Sequence, residues 1–344
     1  MKSTFNPQRL AAIALLLFVQ PVTAQSFTPG APCAECGVTG GSVISDDFGD
    51  VTCDLSPRQI WNEGSPSVQF TLDLLVLDRS DVDSSPLLFD TVTAQPLFNT
   101  GDLIREAEPG VRMGMIIFDD QCGRDFELSF MQTNRFGHGQ TVTSANPITF
   151  PFFGGAPANP ASSYTLELES GLKSFEMNIR QRYGSRVSLI AGLRYWELSE
   201  YFNVHDTGGG TGFFSTADND LYGFQIGADV QWLRIRRSVL FTTIKGGVYY
   251  NNADVQARAA AGALPLEFID DEDEVAFAGE LTAGLLIPMG PQADFRIGYQ
   301  GYLLDGVGCA PNQSRTYDIF TGSGTLDKST VYYHGGFIGI DLFF

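Results

Sequence analysis

Basic residues are scarce in this sequence: 21 Lys and Arg stand against 40 Asp and Glu, a formal net charge of -19. Nucleic-acid phosphates are neutralised by Lys and Arg, so no nucleic-acid partner is expected. Histidine is scarcer, with only His138, His205 and His334 to supply an imidazole base. The five cysteines are Cys33, Cys36, Cys53, Cys122 and Cys309. Cys33 and Cys36 form a CxxC, but no thioredoxin-like βαβ pattern surrounds it. No second pair at matched spacing completes a zinc site. The acidic run 270–274 lacks the Asp-x-Asp-x-Asp-Gly spacing of a calcium loop. No metal and no cofactor are expected.

Long apolar runs are also missing. A membrane-crossing helix needs roughly 20 apolar residues, and no segment supplies them. The clearest short run, Leu10 to Val19, follows Lys2 and Arg9 and precedes Pro21-Val22-Thr23-Ala24. This is the layout of a signal peptide, residues 1–24, cut after Ala24. Residues 25–66 are rich in Gly, Pro, Ser and Asp and show no period, so an irregular periplasmic segment is expected there. A mean hydropathy of -0.01 leaves a transmembrane barrel open, because barrel strands alternate between lipid and lumen.

From Ser67 onward the chain alternates. Val68, Phe70, Leu72 and Leu74 are separated by Gln69, Thr71 and Asp73, and Val76 continues the apolar face. The same period recurs around Val111–Ile117, Phe126–Phe130, Phe175–Ile179, Val187–Tyr195, Tyr222–Trp232, Leu240–Tyr250, Val275–Ile287, Phe295–Tyr299 and Gly336–Phe344. Period two is the side-chain period of a strand. Ten strands follow, or twelve if 79–109 forms a hairpin around Leu87-Leu88-Phe89 and Val92. Long connections at 79–109, 134–163, 200–219, 252–273 and 305–330 alternate with short ones at 119–123, 183–185, 234–238 and 289–292. Short periplasmic turns and long outer loops are the pattern of an outer-membrane barrel. The expected fold is all-β: an antiparallel up-and-down transmembrane barrel over residues 67–344. The final Phe344 resembles the C-terminal signature of such barrels, which the barrel-assembly machinery would read, and membrane lipid is the other expected partner.

Several stretches resemble the beta-barrel porin-7 family. They are Leu97-Phe98-Asn99, Glu108-Pro109-Gly110-Val111-Arg112, Asn178 to Tyr183, Ala191 to Tyr195, and Leu221-Tyr222-Gly223 with Gly227-Ala228. The resemblance implies an outer-membrane location.

Strand parity assigns a charged lumen. The inner face should hold Asp73, Arg112, Glu127, Glu176, Arg180, Arg194, Asp229, Lys245, Glu280, Asp294, Arg296 and Asp341. Charges confined in a narrow lumen must pair. A barrel of about ten strands is near the size that side chains still fill. A porin-like or envelope structural role without catalysis is the leading expectation. Surface interaction through long outer loops is the alternative. A rim hydrolase would need His334 with Asp305. Cys33, Cys36, Cys53 and Cys122 fall on the periplasmic side, where two disulfides are expected, with Cys309 apart in an outer loop.

Overall fold

The computed structural model describes residues 67–81, 86–103, 107–119, 123–149, 161–184, 186–208, 211–261, 264–316 and 323–344. The signal-peptide assignment, residues 25–66 and the disulfide candidates Cys33, Cys36, Cys53 and Cys122 lie outside these.

Among the described residues thirteen strands form one antiparallel sheet that closes on itself. They are β1 (Val68–Asp81), β2 (Pro86–Asp90), β3 (Pro96–Asn99), β4 (Glu108–Asp119), β5 (Arg124–Thr133), β6 (Phe136–Thr149) and β7 (Ala161–Tyr183). Then come β8 (Val187–Asp206), β9 (Thr211–Ile235), β10 (Ser238–Ala261), β11 (Leu264–Pro288), β12 (Ala293–Gly308) and β13 (Lys328–Phe343). Both β5 and β6 pair with β7, one along each half, so they act as a single stave interrupted at Asn134-Arg135. The hairpin β2–β3 forms, but its strand pairing with the ring is confined to the rim of β6, through Phe89 and Asp90. The ring therefore has ten staves. β1 closes it between β13 and β4. The amides of Ser67 and Val68 donate to the Phe344 carbonyl, so Phe344 lies on the short-turn end.

The outer connections depart from expectation. Most of 134–149, 200–219 and 252–273 is strand, not loop. β9 and β11 run 25 residues each, whereas β1 has 14 and β4 has 12. One side of the barrel rises far above the other. The reason is a reversal of polarity along each tall strand. On β8 the outer residues Leu189, Ala191, Leu193 and Tyr195 are apolar, while Glu197, Ser199, Asn203 and His205 continue the same face as polar residues. The inner face changes in the opposite sense, from Arg194 to buried Trp196, Leu198, Phe202 and Val204. β9 and β10 reverse above Tyr222 and Tyr250.

The lower part is built to meet lipid. Ile226 is 61% exposed and Leu74 57%, both on the outer wall. From Leu240 to Tyr250 the chain covers about 34 Å, or about 25 Å across a bilayer once tilted near 40°. The ring of Phe70 packs edge-on against Phe344 at 5.8 Å, near the lower limit of this belt. Tyr195 and Tyr222 meet at 4.9 Å at its upper limit. Aromatic girdles belong at these two levels. Above the belt the outer wall meets water, and the inner wall carries an apolar core: Leu166, Leu168, Phe202, Phe213 and Val255 cluster with Leu87, Leu88 and Phe98 from the hairpin segment.

Candidate functional site in the lumen

All twelve charged residues assigned by parity fall on the inner face, where ion pairs run across and along it. Asp73 is fully buried and accepts from Arg112 Nε at 2.8 Å and Nη2 at 2.6 Å. Arg296 Nη1 lies 3.2 Å from Asp341 and its Nε 3.8 Å from Asp73. Arg194 donates to Glu280 at 2.5 Å, and Lys245 to both oxygens of Glu176 at 2.9 Å. Nearer the short turns, Arg180 bridges Glu127 and Asp229. Asp294 is half-buried and stands opposite Asp341 in the register.

Small residues make room for these groups. A Cβ on Gly339 would lie 2.0 Å from an Asp73 carboxylate oxygen. One on Gly227 would lie 2.9 Å from Lys245 Cγ. Alternating small and large residues let a narrow barrel fill without a void. The waist is then roofed by aromatics: the Arg194 guanidinium lies 3.8 Å over the Trp196 ring, and Trp196 packs edge-on with Tyr302 at 5.4 Å.

Above the aromatic layer the chain itself fills the lumen. Gly306 sits at a bulge with φ +80, a conformation glycine adopts without strain. There β12 leaves β11, whose last paired residue is Phe277. The segment then turns inward as a short helical turn, α1 (Ala310–Gln313), in which every residue is buried. Wall side chains replace the lost ladder. Asn219 accepts from Gly308 N and donates to Gly308 O, both at 2.8 Å. Asn251 donates to Gly306 O at 3.2 Å, and Glu200 accepts from Ala310 N at 3.0 Å. Glu200 is paired in turn with Arg79 and Ser170. Cys309, expected in an outer loop, is buried in this plug.

Several of these residues escape the sequence assignment. Arg79 and Glu200 lie in segments read as loops, yet each keeps the inner parity of its strand, six residues beyond Asp73 and Arg194 respectively. Extending the period past the apolar belt would have found both.

At the rim, His334 and Asp305, the pair a rim hydrolase would need, stand apart. Asp305 takes the hydroxyl of Thr330 at 2.5 Å. His334 pairs in register with Gly301, four residues from Asp305 and so about 13 Å away. Its Nδ1 meets Tyr299 Oη at 2.5 Å and its ring stacks on Tyr332 at 4.8 Å. The outer wall above the belt is acidic: the register aligns Asp218, Asp254 and Asp271 across β9, β10 and β11. Asp220, Asn252 and Asp273 form the next row. Among the described residues no group of His, Cys, Asp and Glu is arranged to hold a metal ion.

No family model and no curated protein matches the chain. It is similar to solved barrels at low identity. The outer membrane protease OmpT from Escherichia coli is 8% identical, with 80% of this chain and 96% of that chain covered and a TM-score of 0.46. The translocator domain of the autotransporter NalP from Neisseria meningitidis is 10% identical, with 83% and 91% covered and a TM-score of 0.42. The Pseudomonas putida toluene transporter TodX is 8% identical, with 84% and 92% covered and a TM-score of 0.32. The apolar belt, the paired aromatic levels and the closed ten-stave ring with its charged waist make this chain a transmembrane β-barrel of the outer-membrane type.

Proposed function

We propose that this protein is an outer-membrane envelope barrel that is sealed at rest, with its working surface on the wall that stands above the membrane. The ion-paired waist carries this reading. Arg194–Glu280 and Lys245–Glu176 join β8 to β11 and β7 to β10, so they cross the lumen instead of lining it. The aromatic roof and the buried turn α1 close the same path twice more. An open diffusion pore needs a water-filled lumen, and here side chains occupy it. Liposome swelling tests this: vesicles carrying the purified protein should not swell in small sugars. Swelling at the rate of an open-porin control would refute it.

A second reading, surface interaction, is favoured by the tall wall. Its acidic rows are carried on paired strands, so the surface is rigid and suited to a cationic partner. Binding of polylysine to protein-bearing vesicles, lost on high salt and on Asp218→Asn with Asp271→Asn, is the expected result.

A further inference from the structure

Four residues at the waist form a ring in which each acid lies within reach of both bases. Arg194 Nη1 is 2.5 Å from Glu280 and 3.8 Å from Glu176. Lys245 Nζ is 2.9 Å from Glu176 and 4.0 Å from Glu280. The two short contacts are the ones that cross the lumen. The two long contacts join residues that face each other on neighbouring strands: Glu176 is the register partner of Arg194, and Lys245 of Glu280.

We propose that this quartet is a bistable electrostatic gate. In the resting arrangement the pairs lie across the barrel and hold the waist shut. Exchange of partners gives Glu176–Arg194 and Lys245–Glu280, both flat against the wall, and draws all four side chains off the axis. The exchange conserves charge and number of pairs, so neither arrangement leaves a buried ion alone, which is the costly outcome. Directly opposed side chains on neighbouring strands are close enough to pair without backbone movement. The surroundings hold the resting state without forbidding the other. Ser174 accepts from Arg194 Nε at 2.8 Å, and Gln225 donates to Glu176 at 2.6 Å. Arg112 Nη1 stands 4.0 Å from Glu280 and becomes its second cation when Arg194 leaves. The inference rests on the reading of the lumen as sealed at rest.

Two charge-conserving double variants separate the states. Lys245→Glu with Glu280→Lys keeps both wall pairs attractive and makes both crossing pairs repulsive. Lys245→Glu with Glu176→Lys does the reverse. The readout is a cysteine at Ala278, one inner position beyond Glu280 toward the outer end and 7% exposed, in a chain whose native cysteines are replaced. A small cationic thiosulfonate reagent is applied to the full chain in detergent, where heat-modifiable gel migration certifies folding. The wall-favouring variant should react about tenfold faster or more than the crossing-favouring one, as a population shift of that size requires. Equal rates in the two folded variants would overturn the gate. Should the wall-favouring variant fail to fold, Glu280→Gln serves. It removes the crossing partner of Arg194 and leaves the wall partner Glu176, so its rate should exceed that of the parent, and an unchanged rate overturns the proposal. Swelling by the wild type would instead refute the sealed lumen, whatever the variants do.

Discussion

Gly339→Ala puts a methyl group where the Asp73 carboxylate now lies. The added Cβ would stand 2.0 Å from Asp73 Oδ1 and 2.6 Å from the Leu72 carbonyl oxygen. Neither approach is tolerable, and the side chain is the part that can move. Moving it breaks the two bonds from Arg112 and leaves that cation in a site where its side chain is 11% exposed. Loss of one partner from a buried ion pair costs about 3–5 kcal/mol. The assay is reversible urea unfolding in lipid vesicles, followed by tryptophan fluorescence. Gly339→Ala should lose about 3–5 kcal/mol in the parent chain, and clearly less in an Asp73→Ala background, where only the Leu72 contact remains. A loss under about 1 kcal/mol would refute the packing argument. So would full additivity with Asp73→Ala.

Three further outcomes follow from the same geometry. Ile226→Arg, in the middle of the lipid belt, should cost about 2–4 kcal/mol, whereas Thr216→Arg on the same face above it should fall within about 0.5 kcal/mol of wild type. Asn219→Leu removes both bonds to Gly308, so hydrogen exchange at Gly308–Ser314 should accelerate while the waist stays protected. In the β2–β3 turn, the Asp90 carboxyl is held down to about 2 by the Asn146 amide and the Thr93 backbone N–H, against the opposing effect of burial, with Val92 N–H assisting. Because the folded value lies below the free one of 3.8, the turn is stabilised above that pH and loses the contribution as pH falls toward about 2. Amide exchange at Val92 and Thr93 should rise across that window, and Asp90→Asn should flatten the response.

The lower half of this fold is legible in the sequence because one rule governs it: apolar residues face lipid and charges face the lumen. Counting in twos from their lipid-facing neighbours puts Asp73, Glu176 and Arg194 on the inner face, and all three side chains are buried. The upper half obeys the same period with the sign reversed. Tyr195-Trp196 is where the change occurs on β8, and two adjacent aromatics erase the alternation at that point. A strand that continues then looks like a loop, which is why Glu200 and Asn219 are missed. The plug is illegible for another reason. Nothing local in Gly306–Gln313 announces that the segment turns inward, because its partners lie on β8, β9 and β10, 55 to 110 residues away in the chain.

A nitroxide scan along β9 in lipid bilayers, reading collision with oxygen and with a water-soluble nickel chelate at each site, tests the sealed barrel most directly. Outer positions 222, 224, 226 and 228 should favour oxygen, and outer positions 216, 218 and 220 should favour nickel. Inner positions from 213 to 229 should be shielded from nickel throughout. Nickel-accessible labels at 225 and 227, with oxygen-accessible ones between them, would show a water-filled lumen and contradict the sealed barrel.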